Sequence, residues 1–381
     1  MEPIAKRARD LPSFIVMDVL EKAHELEEKG RHIIHLEIGE PDFPTPQCIC
    51  DAAQEAMCKG ETHYTHSLGI LALREAICAH YYANYGVSIS PERVIVTSGT
   101  SPALFMLFST LLETGSEIIM SDPHYPCYPN FARFLEARPV CVNVYEEDGF
   151  QLKPEQIKER IGPRTKAILI NSPSNPTGNL LPRERMEKIA DLGPLIISDE
   201  IYHGLVYGEK EHSILEFTDN AFVLNGFSKL YAMTGWRLGY IIGPLEYIRP
   251  LQKVQQNFFI SASSVSQWAG LKALTEAQSD VERMKSIYDR RRRYMIKRVR
   301  QLGFGLTVEP AGAFYMLVNA KHLADSSYEL AFEILEKAEV GVSPGIDFGQ
   351  NAEGYLRLSY ANSLENLEEG LNRLEGFLNN R

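Results

Sequence analysis

The sequence predicts an α/β protein: a large unit on a mostly parallel, seven-stranded sheet flanked by helices, plus a smaller α+β unit. Two patterns predict the large unit. Between about residues 93 and 244 short apolar runs alternate with helix-like segments, the order that builds parallel sheets. The runs are rich in Val and Ile and mostly continuous, as in strands buried on both faces. A change of character beyond residue 302, to isolated strands and helices, predicts the smaller unit.

The N-terminal segment carries one helix, at about 13–29, and one strand, IIHLEIG at 33–39. The seven strands of the large unit are RVIVTSG (93–99), EIIMSD (117–122), VCVNVY (140–145), KAILINSP (166–173), LIISDE (195–200), FVLNGFSK (222–229) and LGYIIG (238–243). Pro182 to Leu192 reads as a helix that opens on proline and closes at Gly193. A long helical region runs from 246 to about 302. GLTVEP (305–310), AFYMLVN (313–319), GVSPG (341–345) and YLRLSYA (355–361) then alternate with helices at 327–338 and 363–378. Because chain ends often meet, 1–45 and 286–381 are assigned to the small domain and 46–285 to the large one.

A chain of 381 residues buries an extensive core without disulfides or metal. Its net charge of −11 gives no electrostatic reason for nucleic acid or anionic membrane as a partner. No run of eighteen apolar residues occurs, and the N-terminus lacks the apolar core of a secretory signal, so a cytoplasmic location is expected. The six cysteines form no CxxC pair and no zinc-spaced cluster. They are expected to be buried thiols of a reducing compartment, with Cys48 and Cys50 on different helix faces. The basic run at Arg290–Arg293, Lys297, Arg298 and Arg300 is expected to spread around a helix rather than form a nucleic-acid patch.

Four strand ends gather the polar residues, and ligands of open α/β sheets sit beyond the carboxyl ends of the strands. TSGTSPAL (97–104) can turn backbone N–H groups and hydroxyls of Ser98, Gly99 and Thr100 toward an anion at a helix start, although any capped helix start has the same look. It has neither the lysine of a phosphate-binding P-loop nor the dinucleotide glycine fingerprint. NSPSNPTG (171–178) specifies an irregular loop from which Asn175 could donate a hydrogen bond, or a purely structural turn. Asp199 ends the apolar run LIISD, where a buried carboxylate needs a cation or strong donors; capping a following helix is the alternative. Tyr202 lies three residues on. Lys229 follows directly on the apolar run FVLNGFS and is either a rim residue or an amine with lowered pKa. Arg237 stands between Trp236 and Leu238, a setting that usually pairs with an anion.

Taken together, IGEPDFPTP (38–46), YTHSLGILALREAI (64–77), DPHYPCY (122–128), NPTG, SDEIY, SKLYAMTGWRLGY and YLRLSYA resemble fold-type-I pyridoxal-phosphate enzymes, specifically class I/II aminotransferases of the aspartate aminotransferase superfamily. The resemblance implies pyridoxal 5′-phosphate (PLP) as cofactor and no metal. It implies that Lys229 forms the Schiff base and shuttles the proton, and that Asp199 partners the pyridine nitrogen. Asn175 and Tyr202 would donate to the phenolate oxygen, and Tyr125 would stack on the ring. Gly99, Thr100, Ser228 and Arg237 would hold the phosphate. Tyr64 would reach the phosphate of a partner subunit, which implies a homodimer. Arg357 would clamp the substrate α-carboxylate in a bidentate fork, with Gly39 and Asn175 beside it. One position departs from the pattern: Gly226 stands where relatives often place a hydroxyl residue on the phosphate.

The expected reaction is ping-pong transfer of an amino group between an α-amino acid and a 2-oxo acid. Ser101, and the lack of a basic residue in QNFFISASSVSQW (256–268), point to a neutral, aliphatic or aromatic amino acid rather than an acidic one. Phe14, Ile15 and Phe258 are candidate pocket residues, and an inward Arg133 would reverse that preference. The alternatives are a PLP-dependent C–S β-lyase on the same scaffold, a non-catalytic protein that keeps the fold, and a nicotinamide-dependent dehydrogenase, which lacks its glycine fingerprint.

Overall fold

A computed structural model describes residues 4–381; the first three residues of the 1–45 segment lie outside the described residues. In chain order the strands are β1 (Ile34–His35), β2 (Val94–Thr97), β3 (Glu117–Asp122), β4 (Arg138–Asn143), β5 (Thr165–Asn171), β6 (Leu195–Asp199), β7 (Ala221–Gly226), β8 (Gly239–Ile242), β9 (Tyr315–Asn319), β10 (Val340–Gly341), β11 (Ser343–Pro344) and β12 (Tyr355–Ser359).

Strands β2 to β8 form one seven-stranded sheet in the order β2-β8-β7-β6-β5-β3-β4. Its pairs are parallel except those made by β8, which runs antiparallel to both β2 and β7. β2, β6, β7 and β8 are buried at every position. Alternate residues feed different cores: Val94 and Val96 pack into one cluster and Ile95 into the other. That is why these runs are continuously apolar, since each face of the sheet is covered. Burying one such side chain contributes about 1.5–3 kcal/mol.

The smaller sheet has the antiparallel order β11-β12-β9, and β1 pairs parallel with β10. The helices Ser327–Ala338 and Leu364–Asn379 begin at Ser326 and Ser363, whose side chains accept from the backbone N–H groups of Glu329 and Asn366. The region 246–302 resolves into three helices, Leu245–Phe258, Ser264–Glu276 and Gln278–Gln301. The expected division at residue 285 falls inside the last of them. The helix expected at 182–192 spans Arg183–Ala190, with Pro182 as its N-cap.

Two expected strands are cut short. IIHLEIG pairs only at Ile34–His35, because its later carbonyls have other partners: Glu37 O accepts from Arg357 and Gly39 O from Lys229. GLTVEP forms no strand. Gly305 bridges Asn319 at the end of β9, and the chain then turns so that Ala311 and Gly312 donate to Gly178 O.

The cysteines also differ from expectation: Cys58 is exposed and the other five are half-buried, all free. On the helix Gln47–Cys58 the buried stripe is Ile49, Ala52, Ala53 and Ala56, and the three cysteines lie off it. The basic run does spread around its helix. Arg291 is buried and forms a bidentate pair with Asp42, both bonds 2.8 Å. Arg292 and Arg293 pair with Asp289, Arg298 with Glu375, and Arg300 with Glu309. Among the described residues no helix is long and apolar enough to cross a membrane.

Candidate active site

The ends of β5, β6 and β7 and the loop after β2 open into one cavity of about 390 Å³. Gly39, Thr100, Tyr125, Asn175, Asp199, Tyr202, Ser228, Lys229, Arg237 and Arg357 all line it.

Asp199 is the last residue of β6 and is buried. Tyr128 Oη donates to its Oδ2 at 2.6 Å, and the Ile201 N–H to its Oδ1 at 3.1 Å. Among the described residues no cation pairs with it. Burial therefore pushes its pKa up to about 6, although both hydrogen bonds act against the rise. Asn171, at the end of β5, joins the neighbouring loop to this strand. Its Nδ2 donates to Asp199 O at 2.9 Å, and its Oδ1 accepts from Asn175 N at 2.8 Å.

Lys229 lies three residues beyond β7 and donates from Nζ to Gly39 O at 2.6 Å. Burial lowers its pKa to about 8; the nearby Glu40 carboxylate opposes the fall, while the Arg357 and Arg237 charges add to it. The amine is thus about one-tenth neutral at pH 7, far more than an ordinary lysine, and neutral is the state in which it is a nucleophile.

Arg357 comes from β12 and is buried. It donates to Asn175 Oδ1 at 2.9 Å and to Ser343 Oγ at 3.1 Å, and also to Glu37 O. Its guanidinium carbon sits 4.3 Å from the Tyr315 ring centroid and 4.9 Å from that of Phe348. Nε has no partner, and among the described residues no carboxylate pairs with this arginine. A buried guanidinium with only neutral partners calls for an anion. Because Arg357 can only donate, it fixes Asn175 with Oδ1 toward it, which leaves the Nδ2 donors for another acceptor.

A second corner is built for an anion. The helix Thr100–Leu111 starts at Gly99 (φ +101°) without a side-chain cap, so its first N–H groups are open. A Cβ on Gly99 would come 2.5 Å from Arg237 Nη2, and one on Gly239 would come 2.9 Å from the Gly99 carbonyl carbon. Glycine at both positions lets the loop lie against β8 and the guanidinium against the loop. Arg237 itself is left-handed (φ +51°) and donates to Thr234 O at 3.0 Å. The missing hydroxyl at Gly226 has a steric reason: a Cβ there would sit 3.0 Å from both Gly239 Cα and Leu238 O.

The remaining expected residues divide. Tyr64 is 82% exposed and lies outside its own chain's cavity. Phe14 and Ser101 line the cavity as expected, but Ile15 and Phe258 do not. The Ile15 N–H is turned to Asp347, and Phe258 is exposed with its ring packed on Phe105. The apolar wall is instead Phe14, Val16, Met17, Leu20, Leu104 and Tyr125. Arg133 stays outside, against Asn130.

Sequence reasoning missed Tyr128, Asn171 and Tyr315. Tyr128 had a signal, since it lies one helical turn after Tyr125 in DPHYPCY. Asn171 opens NSPSNPTG, where only Asn175 was singled out. Tyr315 had none: an aromatic residue in AFYMLVN reads as core.

The family model described as aminotransferase class I and II matches residues 31–374. The (5-formylfuran-3-yl)methyl phosphate transaminase of Methanocaldococcus jannaschii is 45% identical over 99% of this chain and 100% of its own. The aspartate aminotransferase of Pyrococcus horikoshii is 39% identical over 98% of this chain and 96% of its own. The solved aspartate aminotransferase of Thermus thermophilus with maleate superposes with a TM-score of 0.94 at 38% identity, covering 99% of this chain and 100% of that one. The match of nearly the whole chain, in sequence and in fold, means that this protein belongs to the class I and II aminotransferases.

Proposed function

We propose that this aminotransferase works with PLP attached to Lys229, and that it moves an amino group between a neutral, aliphatic or aromatic α-amino acid and a 2-oxo acid in two half-reactions. The observation that carries the reading is a single cavity. It joins a half-buried amine of lowered pKa, a buried carboxylate and a buried guanidinium, and among the described residues the carboxylate has no cation partner and the guanidinium no carboxylate partner.

The residues fit the cofactor. Asp199, lacking a cation, suits a protonated ring nitrogen. Asn175 Nδ2 and the Tyr202 hydroxyl are donors for a phenolate oxygen. The open helix start at Gly99 and Thr100, with Ser228 and Arg237, suits a phosphate. Tyr125 offers a ring face on the cavity wall.

When bound, the cofactor supplies an aldehyde for the amino group and a ring that withdraws electrons from the substrate Cα. Asp199 keeps the ring nitrogen charged, with Tyr128 holding the carboxylate in place. Lys229 would be the amine that holds the aldehyde, and its Nζ, when free, would be the base that takes the substrate Cα proton and gives it back. Release of that Nζ from Gly39 O is the movement this chemistry requires. Arg357 holds the α-carboxylate and so fixes which bond at Cα faces the ring.

The apolar wall supports a neutral side chain. The cavity's lining cations are Lys229, Arg237 and Arg357, and each already has a partner in this scheme. A homodimer is proposed in which the partner's Tyr64 completes the phosphate corner. In support, Arg237 also borders an open cleft of about 770 Å³ with Thr45, Ser98 and Trp236, and Tyr64 is exposed for contact. The six free thiols support a cytoplasmic location. The division into 46–285 and the two terminal segments is proposed as the pair of bodies that meet at this cavity.

The test is a half-reaction screen: PLP-loaded protein is mixed with single amino acids and the visible band of the bound cofactor is followed. Neutral aliphatic or aromatic donors should bleach it, and a 2-oxo acid should restore it. Aldehyde acceptors belong in the screen because one relative is named for a formylfuran phosphate. Release of ammonia and pyruvate without an acceptor, or no bleaching by any amino acid, overturns the reading.

A further inference from the structure

We propose that Tyr315 is a positioning residue that holds Tyr202 turned as a donor toward the cofactor oxygen, and thereby ties the seat of the substrate carboxylate to the cofactor. This rests on the roles given above to Lys229 and Tyr202.

The two hydroxyl oxygens are 3.0 Å apart, and both rings are buried, 4% and 1% exposed. Among the described residues neither hydroxyl has another hydrogen-bond partner. A phenol has one proton and two acceptor lone pairs. One proton lies between the oxygens, so only one member of the pair has a proton left over. An acceptor in the cavity beside Tyr202 draws the Tyr202 proton, and the bond between the rings must then be made by Tyr315. Accepting that bond polarises the Tyr202 O–H and strengthens its donation. Burial raises both phenols above their ordinary pKa, so both keep their protons at neutral pH.

Tyr315 is held firmly enough for this task. It pairs with Ser359 across β9 and β12, two residues along from the Leu317–Arg357 pair. Its ring lies under the Arg357 guanidinium and edge-on to Tyr202, with centroids 5.7 Å apart. A Cβ on Gly178 (φ +71°) would come 2.7 Å from its carbonyl oxygen. A Cβ on Gly39 would come 2.4 Å from its hydroxyl, so glycine is required at Gly39 by this phenol. Tyr315 therefore touches Gly39 and Arg357 on the carboxylate side and Tyr202 on the cofactor side. The bond runs from the small sheet to the end of β6.

The test is the pH midpoint of the visible band of the Lys229-linked cofactor in wild type, Tyr202→Phe, Tyr315→Phe and the double variant. A donor on the cofactor oxygen stabilises its anion and loosens the proton on the linked nitrogen, so a weaker donor raises the midpoint. Tyr202→Phe should give the larger rise. Tyr315→Phe, which keeps the ring under Arg357, should raise the midpoint by about 0.5 unit and weaken cofactor binding by about threefold. In the double variant Tyr315→Phe should add nothing, because it acts through Tyr202. If Tyr202→Phe moves the midpoint and Tyr315→Phe does not, or if the two shifts add in full, the proposal fails and the role of Tyr202 stands. If Tyr202→Phe leaves the midpoint in place, the role of Tyr202 fails and this proposal falls with it.

Discussion

The two walls of the cavity are built in opposite ways. The wall formed by the large sheet draws its residues from strand ends and their loops, and each is tied to a neighbouring element. Asp199 is held by Tyr128 and by the Ile201 N–H, and Asn171 bonds the ends of β5 and β6 together. The opposite wall comes from the chain's two ends. Phe14, Val16, Met17 and Leu20 supply apolar surface, Gly39 a carbonyl, Glu37 and Glu40 carboxylates, and Arg357 the wall's cation, held among the described residues only by neutral partners. The first wall is arranged for one fixed ligand. The second leaves the Arg357 guanidinium without a carboxylate partner among the described residues and sets apolar surface beside it, which suits a substrate that changes between half-reactions.

That contrast can be broken by removing one residue from each wall. The largest effect is expected at Lys229→Ala, which should lower turnover by roughly ten-thousand-fold or more and remove the visible band of the linked cofactor. Ordinary multiple turnover by this variant would end the assignment. Arg357→Ala should reduce kcat/KM for α-amino acids by about 100- to 1,000-fold, as expected for a lost charge-assisted fork, while the cofactor dissociation constant changes much less. An equal loss of both would show that the two walls are not separate.

The smallest effect sharpens the comparison through pH. The Lys229 pKa in the folded chain is about 8 against an ordinary 10.5. Between those values the unfolded chain binds the extra proton, so stability gains from this group as pH rises through that window. Cofactor-free wild type should gain no more than about 3 kcal/mol over cofactor-free Lys229→Met between pH 8 and 10.5. The rate at which cofactor-free protein captures PLP should rise with pH and level off above about 8. A flat stability difference, read from paired melting curves, would mean that the amine is not desolvated.

The large wall was legible because its chemistry is local to short segments. A strand ending in aspartate, a strand followed by lysine and a loop of asparagines and prolines each declare themselves within ten residues, and a sheet brings strand ends to one edge. The partners of those residues were less legible. Tyr128 and Tyr315 lie 71 and 113 positions from Asp199 and Tyr202, and nothing in a window of sequence joins them. Phe258 was misplaced for a related reason. Its segment reads as apolar and close to the site, yet the end of its helix points outward against Phe105.

By itself the sequence determined the sheet, its seven strands and the residues at their ends, because burial on two faces imposes a pattern that each strand carries alone. Only the tertiary structure decided which hydroxyl faces which carboxylate, that Arg357 has no anion partner among the described residues, and that the Tyr315 hydroxyl fills the space a Cβ on Gly39 would need. Those facts depend on distances between segments far apart in the chain, and such distances are set by packing rather than by any local preference.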